Sequence, residues 1–558
     1  MAATCDDCGG WLLYLSLAAK CGDPHRLAGL AAVLLVAFVL TSLLHWAAPG
    51  GPAWGRYWWT RRAGLGIIPG PRGLPVLGSM GLMTGLAHRK LAAEMMGDSR
   101  KRLMAFSLGE TRMVVTADPD VARELLASPA FADRPVKESA YGLLFHRAIG
   151  FAAYGAYWRA LRRVASTHLF SPRQVAASAA QSHVIARHMI AAINNHSSGG
   201  VVVVARAVLK RASLHNVMWS VFGRRYDGLE DEEEEAVELK ALVDEGYDLL
   251  GLLNWSDHLP WLARFDLQRT RARCQALVPR VNRFVGRIIE EHRAGLAHGG
   301  DGVMDFTDVL LSLQGSDDVK LSDADMIAVL WEMIFRGTDT VAVLMEWVLA
   351  RLVMHQDVQR KVHDELDRVV GPGRAVTEPD AASLVYLQAV IKEVLRLHPP
   401  GPLLSWARLA TSDVRVAGHL VPAGTTAMVN MWAITHDDKV WADPTVFKPD
   451  RFLLRLPSSS SSSSDNNHAV AAAADEFSVM GSDLRLAPFG SGRRVCPGKS
   501  LAMATVGFWL ATLLHEYEWL PASTIGGPCA VDLSEVLRLS CEMAAPLEAR
   551  VRPRRRAV

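Results

Sequence analysis

Leu27 to Trp46, LAGLAAVLLVAFVLTSLLHW, is a run of twenty residues with no formal charge except the one His45 can acquire. As a helix it is about 30 Å long, the depth of a bilayer's hydrocarbon core. No other stretch limits the fold as strongly, because everything else must fold on one side or the other of it. Trp54, Tyr57, Trp58 and Trp59 follow, mixed with Arg56, Arg61 and Arg62, while only Lys20 and Arg26 precede it. That asymmetry suits an aromatic belt and a positive cytoplasmic flank. The segment therefore reads as a single-pass anchor, with residues 1–26 as a lumenal tail and the rest of the chain in the cytoplasm. A cleaved signal peptide competes, but its leading region would hold Asp6 and Asp7, and the apolar run exceeds the usual signal core.

Residues 47–80 read as a hinge. Its second half, IIPGPRGLPVLGSM from Ile67 to Met80, has three prolines and three glycines and forbids regular structure. Residues 81–558 show no further clear break and read as one large domain. Apolar residues recur at three and four spacing over Arg269 to Ala294, Ser322 to Met354, Asp357 to Val370 and Ser383 to Leu397, which predicts helices. Strand signals are fewer: RMVVTA near Val114, then VRVAG, HLVP and TTAMVNMW between Val414 and Trp432. The fold class is mostly α with a minor β part. EDEEEE at Glu230 to Glu235 reads as a solvated loop or helix start, residues 458–475 as a serine- and alanine-rich disordered insertion, and the terminal RPRRR as a solvated tail. A formal net charge of +2 over 558 residues gives no support to a nucleic-acid partner. Seven scattered cysteines, an odd number, argue against a secreted disulfide framework, and the lone Cys5/Cys8 pair is a weak metal signal.

The strongest chemical signal is FGSGRRVCPG, Phe489 to Gly498, which leads into an apolar helix starting near Ser500. CPGKS imitates the end of a phosphate-binding loop, but that loop needs four residues between its glycines. Gly492 and Gly498 are separated by five, one a proline. A thiolate ligand to haem iron needs a cysteine in a tight turn with backbone N–H groups facing the sulfur. It also needs glycines that let the chain approach a flat macrocycle, and a helix N-terminus to favour negative charge. This segment offers each of these, and Arg494 stands where it can pair with an anionic propionate. A lone cysteine is more often buried and inert; the whole ten-residue pattern weighs against that.

The pattern F-x-x-G-x-R-x-C-x-G resembles the cytochromes P-450. Other marks of the family follow in order: Glu393-Val-Leu-Arg396, then LHPP, then Phe447-Lys-Pro-Asp-Arg451-Phe, and upstream Trp158-Arg-Ala-Leu-Arg162. E-x-x-R also occurs at Glu290, Glu365 and Glu535, so its position relative to the other marks singles out Glu393. The resemblance spans roughly Pro69 to Ala545. It implies haem b with the Cys496 thiolate as axial ligand, Phe489 in the ligand loop, and Trp158, Arg162, Arg408 and Arg494 toward the propionates. It also implies a structural triad of Glu393, Arg396 and Arg451. The anchor and proline-rich hinge are similar to those of the microsomal type, which implies the endoplasmic reticulum membrane and an NADPH–cytochrome P-450 reductase as electron donor. FRGTDTVA, GYDLLGLLNWSDHLPWL and APFGSGRRVCPGK together resemble the plant subfamily 78A, which is associated with organ growth and the timing of leaf initiation.

In the long pattern Ser322 to Met354, WEMIFRGTDTV places Glu332, Arg336, Asp339 and Thr340 inside an otherwise buried helix, where charges are costly unless used. Gly337 to Thr340 match the family's distal helix. The resemblance implies that Asp339 feeds protons from solvent and Thr340 passes them to reduced dioxygen. A threonine there can equally bond back to the carbonyl of residue 336. Haem-thiolate relatives that rearrange peroxides need no proton delivery, so the pair favours a monooxygenase using O2; a rearranging enzyme and a non-catalytic haem sensor are the alternatives. Arg336 departs from the family's small residue. Three readings stand: a helix pair with Glu332 or Asp339, a contact to a propionate, or a contact to a substrate carboxylate such as that of a fatty acid. The substrate implied is hydrophobic, enclosed by Val136 to Phe151, Leu249 to Phe265 and the distal helix. A basic surface with Arg159, Arg163 and Lys499 suits reductase docking.

Overall fold

The computed structural model describes residues 24–60, 66–96, 102–197, 202–226, 234–295, 304–314, 321–404, 407–453, 477–522 and 531–554. The Cys5/Cys8 pair, nearly all of the lumenal tail, Glu230 to Glu233, the 458–475 insertion and the last four residues lie outside them.

The apolar run forms helix α1, Pro24–Ala47, and the stretch from Ala28 to Ala47 is long and apolar enough to cross a membrane, with none of it buried in the protein body. Gly50 and Gly51, both at positive φ, turn the chain into α2, Pro52–Thr60. Here the expected belt is corrected. Trp54 is fully buried and Tyr57 nearly so, and the Trp54 indole N–H donates to the carbonyls of Phe106 (3.1 Å) and Met113 (3.3 Å). These rings gain more apolar burial against a sheet than a lipid interface would give them; Trp59 remains exposed.

The sheet beneath them holds β1, Met104–Leu108, and β2, Thr111–Thr116. The other strands are β3 (Val203–Val204), β4 (Arg408–Leu409), β5 (Val414–Val416), β6 (His419–Val421), β7 (Thr426–Val429), β8 (Tyr517–Pro521), β9 (Glu535–Leu537), β10 (Cys541–Met543) and β11 (Glu548–Pro553). They form a mixed sheet β1-β2-β7-β4, a sheet β3-β11-β8, and the hairpins β5-β6 and β9-β10. The strand signals near Val114 and between Val414 and Trp432 correspond to β2, β5, β6 and β7. The very short strands and the C-terminal ones have no comparable alternation.

Helices make up most of the rest. Those that carry the argument are α3 (Ala156–His168), α4 (Ala205–Phe222), α5 (Glu234–Gly251), α6 (Thr270–Arg293), α7 (Asp323–Met354), α8 (Gln356–Val369), α9 (Val385–Leu397) and α10 (Lys499–Glu516). Four of them match the periodic segments to within one or two residues. α7 starts at a capping box in which Ser322 and Asp325 exchange side-chain and backbone bonds. Two hydrophobic clusters meet along α7. One takes its residues Met326 to Phe335, the other Ala342 to Val353. The polar residues Arg336 to Thr340 occupy the interval between these two cores, which is how one helix holds them without burying every charge in hydrocarbon.

Candidate functional site

The loop before α10 is folded by its glycines. Gly490 and Gly492 both have φ near +70°, and a Cβ on Gly492 would lie 2.0 Å from the Leu126 carbonyl. The Cys496 N–H donates to the Phe489 carbonyl (3.0 Å) and the Val495 N–H to that of Gly492 (3.1 Å), so Phe489 and Cys496 close a tight turn at the head of α10. Cys496 is half-buried. Burial pushes its thiol up, while the Gly498 N–H, Arg336, Arg162 and Lys499 all favour the thiolate.

Arginines gather around this loop. Arg494, buried, donates to the carbonyls of Ala132 (2.9 Å), Ile149 (3.1 Å) and Ala152 (2.7 Å), and its guanidinium lies 4.4 Å from the Trp158 ring. Trp158 donates to the same Ile149 carbonyl (2.9 Å), and Arg162 donates to the Val495 carbonyl. Arg494 and Trp158 thus spend these bonds on holding the loop around Gly150. Arg408 differs. It is buried on β4, and among the described residues its guanidinium has no hydrogen bond or ion pair. Burial, then the charges of Arg494 and Arg162, push its pKa down to about 9.

On α7 the Glu332 carboxylate, almost fully buried, accepts from Arg336 Nε (2.8 Å) and from the Gly150 N–H (2.8 and 3.0 Å). Of the three readings of Arg336, the helix pair is the one whose partner is in place. Its guanidinium stays about a third exposed and acts electrostatically on Arg134, Arg494 and Cys496. Asp339, one turn further and buried, pairs with Lys210 of α4 (2.9 Å), which also reaches Glu542 (3.4 Å). Burial works against the Lys210 charge, yet Asp339 and Glu542 outweigh it and hold its pKa above the ordinary lysine value. This pair borders a polar cleft of about 400 Å³ lined also by Asp244, Tyr247, Asp248 and Arg538. Thr340 is exposed, and its hydroxyl donates to the Arg336 carbonyl at 3.3 Å.

Glu393, Arg396 and Arg451 form a separate cluster. Arg396 meets both Glu393 oxygens (2.8 and 2.9 Å) with neither side chain exposed, Arg451 Nε adds a contact at 3.1 Å, and the remaining Arg396 donors go to the carbonyls of Thr435, Pro444 and Val446.

The cytochrome P-450 family profile matches residues 68–530. The chain belongs to the cytochrome P-450 family. Cytochrome P-450 78A9 of Arabidopsis thaliana is 60% identical over 97% of this chain and 98% of its own length. Cytochrome P-450 78A3 of Glycine max is 57% identical over 98% of each. A flavonoid 3'-monooxygenase from Crocosmia x crocosmiiflora is 34% identical over 88% of this chain and 92% of its own length.

A cytochrome P-450 monooxygenase carries haem on a cysteine thiolate, and the donor set here fits that group. Three cysteines lie among the described residues. Cys274 and Cys541 are buried, and desolvation followed by neighbouring glutamates, Glu138 for one and Glu535 for the other, pushes both thiols up. Cys496 alone of the three combines a glycine turn, a helix head and a cationic field. The unpartnered Arg408 with Arg162 beside it matches a pair of anionic side arms. Sequence reasoning missed Arg134, buried and donating to the carbonyls of Gly150 (3.0 Å) and Ala407 (3.0 Å), and Lys210, whose position on α4 gives no local hint of Asp339. Arg134 stands in ADRPVKE, a charged stretch like that of an exposed loop, so its own sequence carries no signal of burial.

Proposed function

We propose that Cys496 holds haem b in this cytochrome P-450, with Arg408 and Arg162 toward its propionates, and that the enzyme inserts one atom of O2 into a hydrophobic substrate. The contrast between Cys496 in its cationic turn and the two cysteines beside carboxylates carries the assignment. Bound haem supplies the activation of O2, and overall substrate, O2, two electrons and two protons give hydroxylated substrate and water. Asp339 takes protons from water in the polar cleft, with Lys210 fixing its carboxylate at the border between cleft and helix. Thr340 offers a hydroxyl held only by a long bond, so it can turn and pass a proton on. The Asp339–Thr340 pair is what supports oxygenation over peroxide rearrangement.

The substrate side is enclosed by segments that lock together: Lys137 donates to the Leu250 carbonyl (2.5 Å), Asn254 to Glu138 (2.9 Å), and the Glu138 N–H to Asp257 (2.8 Å). Behind them lie Phe145, Phe335 and Leu249, an apolar wall suited to a lipid-like molecule. A fatty acid is the substrate we assign first, with Arg336, about a third exposed beside Glu332, as the cation for its carboxylate. α1 anchors the enzyme in the endoplasmic reticulum membrane with the body in the cytoplasm, NADPH–cytochrome P-450 reductase supplies the electrons, and the product serves plant organ growth. Product profiling of membranes containing the enzyme, the reductase and NADPH against a panel of fatty acids tests this. Hydroxylated products that depend on reductase support it; turnover of peroxides without reductase, or no product from any hydrophobic substrate, contradicts it.

A further inference from the structure

Tyr247 lies near the start of GYDLLGLLNWSDHLPWL, ahead of the residues that form part of the substrate wall, and lines the polar cleft beside Asp339. It stands on α5, packed across α7, and its ring stacks on Phe335 with centroids 4.2 Å apart and planes 22° from parallel. Gly246 permits this approach: a Cβ there would fall 2.7 Å from the Phe335 ring. The Tyr247 hydroxyl donates to the Phe335 carbonyl. In an α-helix that carbonyl is the acceptor for the N–H of Asp339, four residues on. A hydroxyl on the same carbonyl competes with the ladder bond, and a side chain inserted into the ladder is one of the recognised causes of a local opening.

The neighbouring carbonyls are engaged in the same way. Thr338 Oγ1 donates to Ile334 O (2.7 Å) and Thr340 Oγ1 to Arg336 O (3.3 Å), so three successive carbonyls each receive a hydroxyl. Two of these hydroxyls come from α7 itself and one from α5. On the opposite side Gly337 presses against α4, where a Cβ would come within 2.5 Å of Val217. The helix is thus clamped between α4 and α5 at its polar interval. Burial, and then the Asp339 charge, raise the Tyr247 pKa well above the usual tyrosine value, so the hydroxyl keeps its proton throughout the working pH range.

We propose that Tyr247 is a positioning residue that wedges the Phe335–Asp339 step of α7 open, so that the orientation of Asp339 and Thr340 is set from α5, the helix leading into the segment assigned to the substrate wall. The proposal rests on the proton-delivery reading of Asp339. It gives that reading a mechanical link: movement of α5 when substrate binds changes the opening beside the acid.

Tyr247→Phe keeps the stacked ring and removes the oxygen. In the holoenzyme, hydrogen–deuterium exchange of the Asp339 amide should slow about tenfold as the direct bond to Phe335 forms. The fraction of NADPH electrons recovered in product should fall severalfold, with the reduced carbon-monoxide band unchanged. Unaltered exchange at Asp339 overturns the wedge, whatever the coupling does. Asp339→Asn separates the two claims: if it leaves coupling intact while Tyr247→Phe still slows exchange, proton delivery fails and the wedge stands. Should the variant lose haem, the wild type decides: an Asp339 amide exchanging about tenfold faster than those of Trp331 to Ile334 supports the wedge, and equal protection contradicts it.

Discussion

At the scale of single residues, buried charge is compensated at Glu332 and Glu393 but not at Arg408, and this pattern separates structural residues from those with chemistry. Glu393 receives Arg396, Arg451 and the Lys448 N–H with no exposed surface, so its removal strands two guanidinium groups. Glu393→Ala should cost about 3–5 kcal/mol, enough to deplete folded, haem-loaded protein, as chemical denaturation will show. Asp339 has the opposite profile, a single lysine partner at the edge of a water-accessible cleft. Asp339→Asn should leave folding and the carbon-monoxide band intact while product per NADPH falls by roughly tenfold or more. Cys496 and Arg494 stood out in the sequence because they share one contiguous pattern, and Glu393 because its E-x-x-R precedes LHPP and the Phe447-Lys-Pro-Asp-Arg451-Phe stretch. Arg134, Lys210 and Tyr247 did not, because each acquires its partner only when another segment packs against it. Trp54 was misread for a related reason: a tryptophan near an anchor looks the same in sequence whether lipid or a sheet covers it.

At the scale of elements, α7 is held by the loop around Gly150 as much as by its hydrophobic clusters. The Gly150 N–H binds Glu332, its carbonyl binds Arg134, and the adjacent Ile149 carbonyl takes Trp158 and Arg494. A Cβ on Gly150 would lie 2.0 Å from Arg336 Nη2 and 2.2 Å from Glu332 Oε1. Gly150→Ala therefore must displace either the loop or the ion pair, at a cost of about 1–3 kcal/mol in thermal or denaturant unfolding, and haem retention should weaken with it. The long helices were readable because their periodicity runs over several turns. β4 is two residues long and exists because β7 lies beside it, so nothing in its own sequence announces it.

At the scale of the whole molecule, the apolar helix α1 and the body are joined closely. Gly55 of α2 approaches the His45 carbonyl of α1 so nearly that a Cβ would fall 1.9 Å from it, and α2 buries Trp54 in the body. Removing residues before Ala48 should therefore release the enzyme from membranes in a flotation assay while leaving the carbon-monoxide band in place. Acid should destabilise the fold. Burial lowers His215, His258, His363 and His436 to about 4. Above pH 6.5 these histidines are neutral in both states and cost nothing. As pH falls from 6.5 toward 4 the unfolded chain takes up protons that the folded one refuses, so unfolding is favoured by about 1–2 kcal/mol per histidine at pH 5. Denaturant midpoints measured between pH 7 and 5 should decline steadily; a flat profile would contradict buried neutral imidazoles.

We assign the haem thiolate to Cys496, and to neither Cys274 nor Cys541. The most direct measurement is the reduced carbon-monoxide difference spectrum of the wild type beside Cys496→Ser and Cys541→Ser. The thiolate-type band should appear in the wild type and in Cys541→Ser, and be lost in Cys496→Ser protein that remains folded. A thiolate band that survives Cys496→Ser would contradict the assignment.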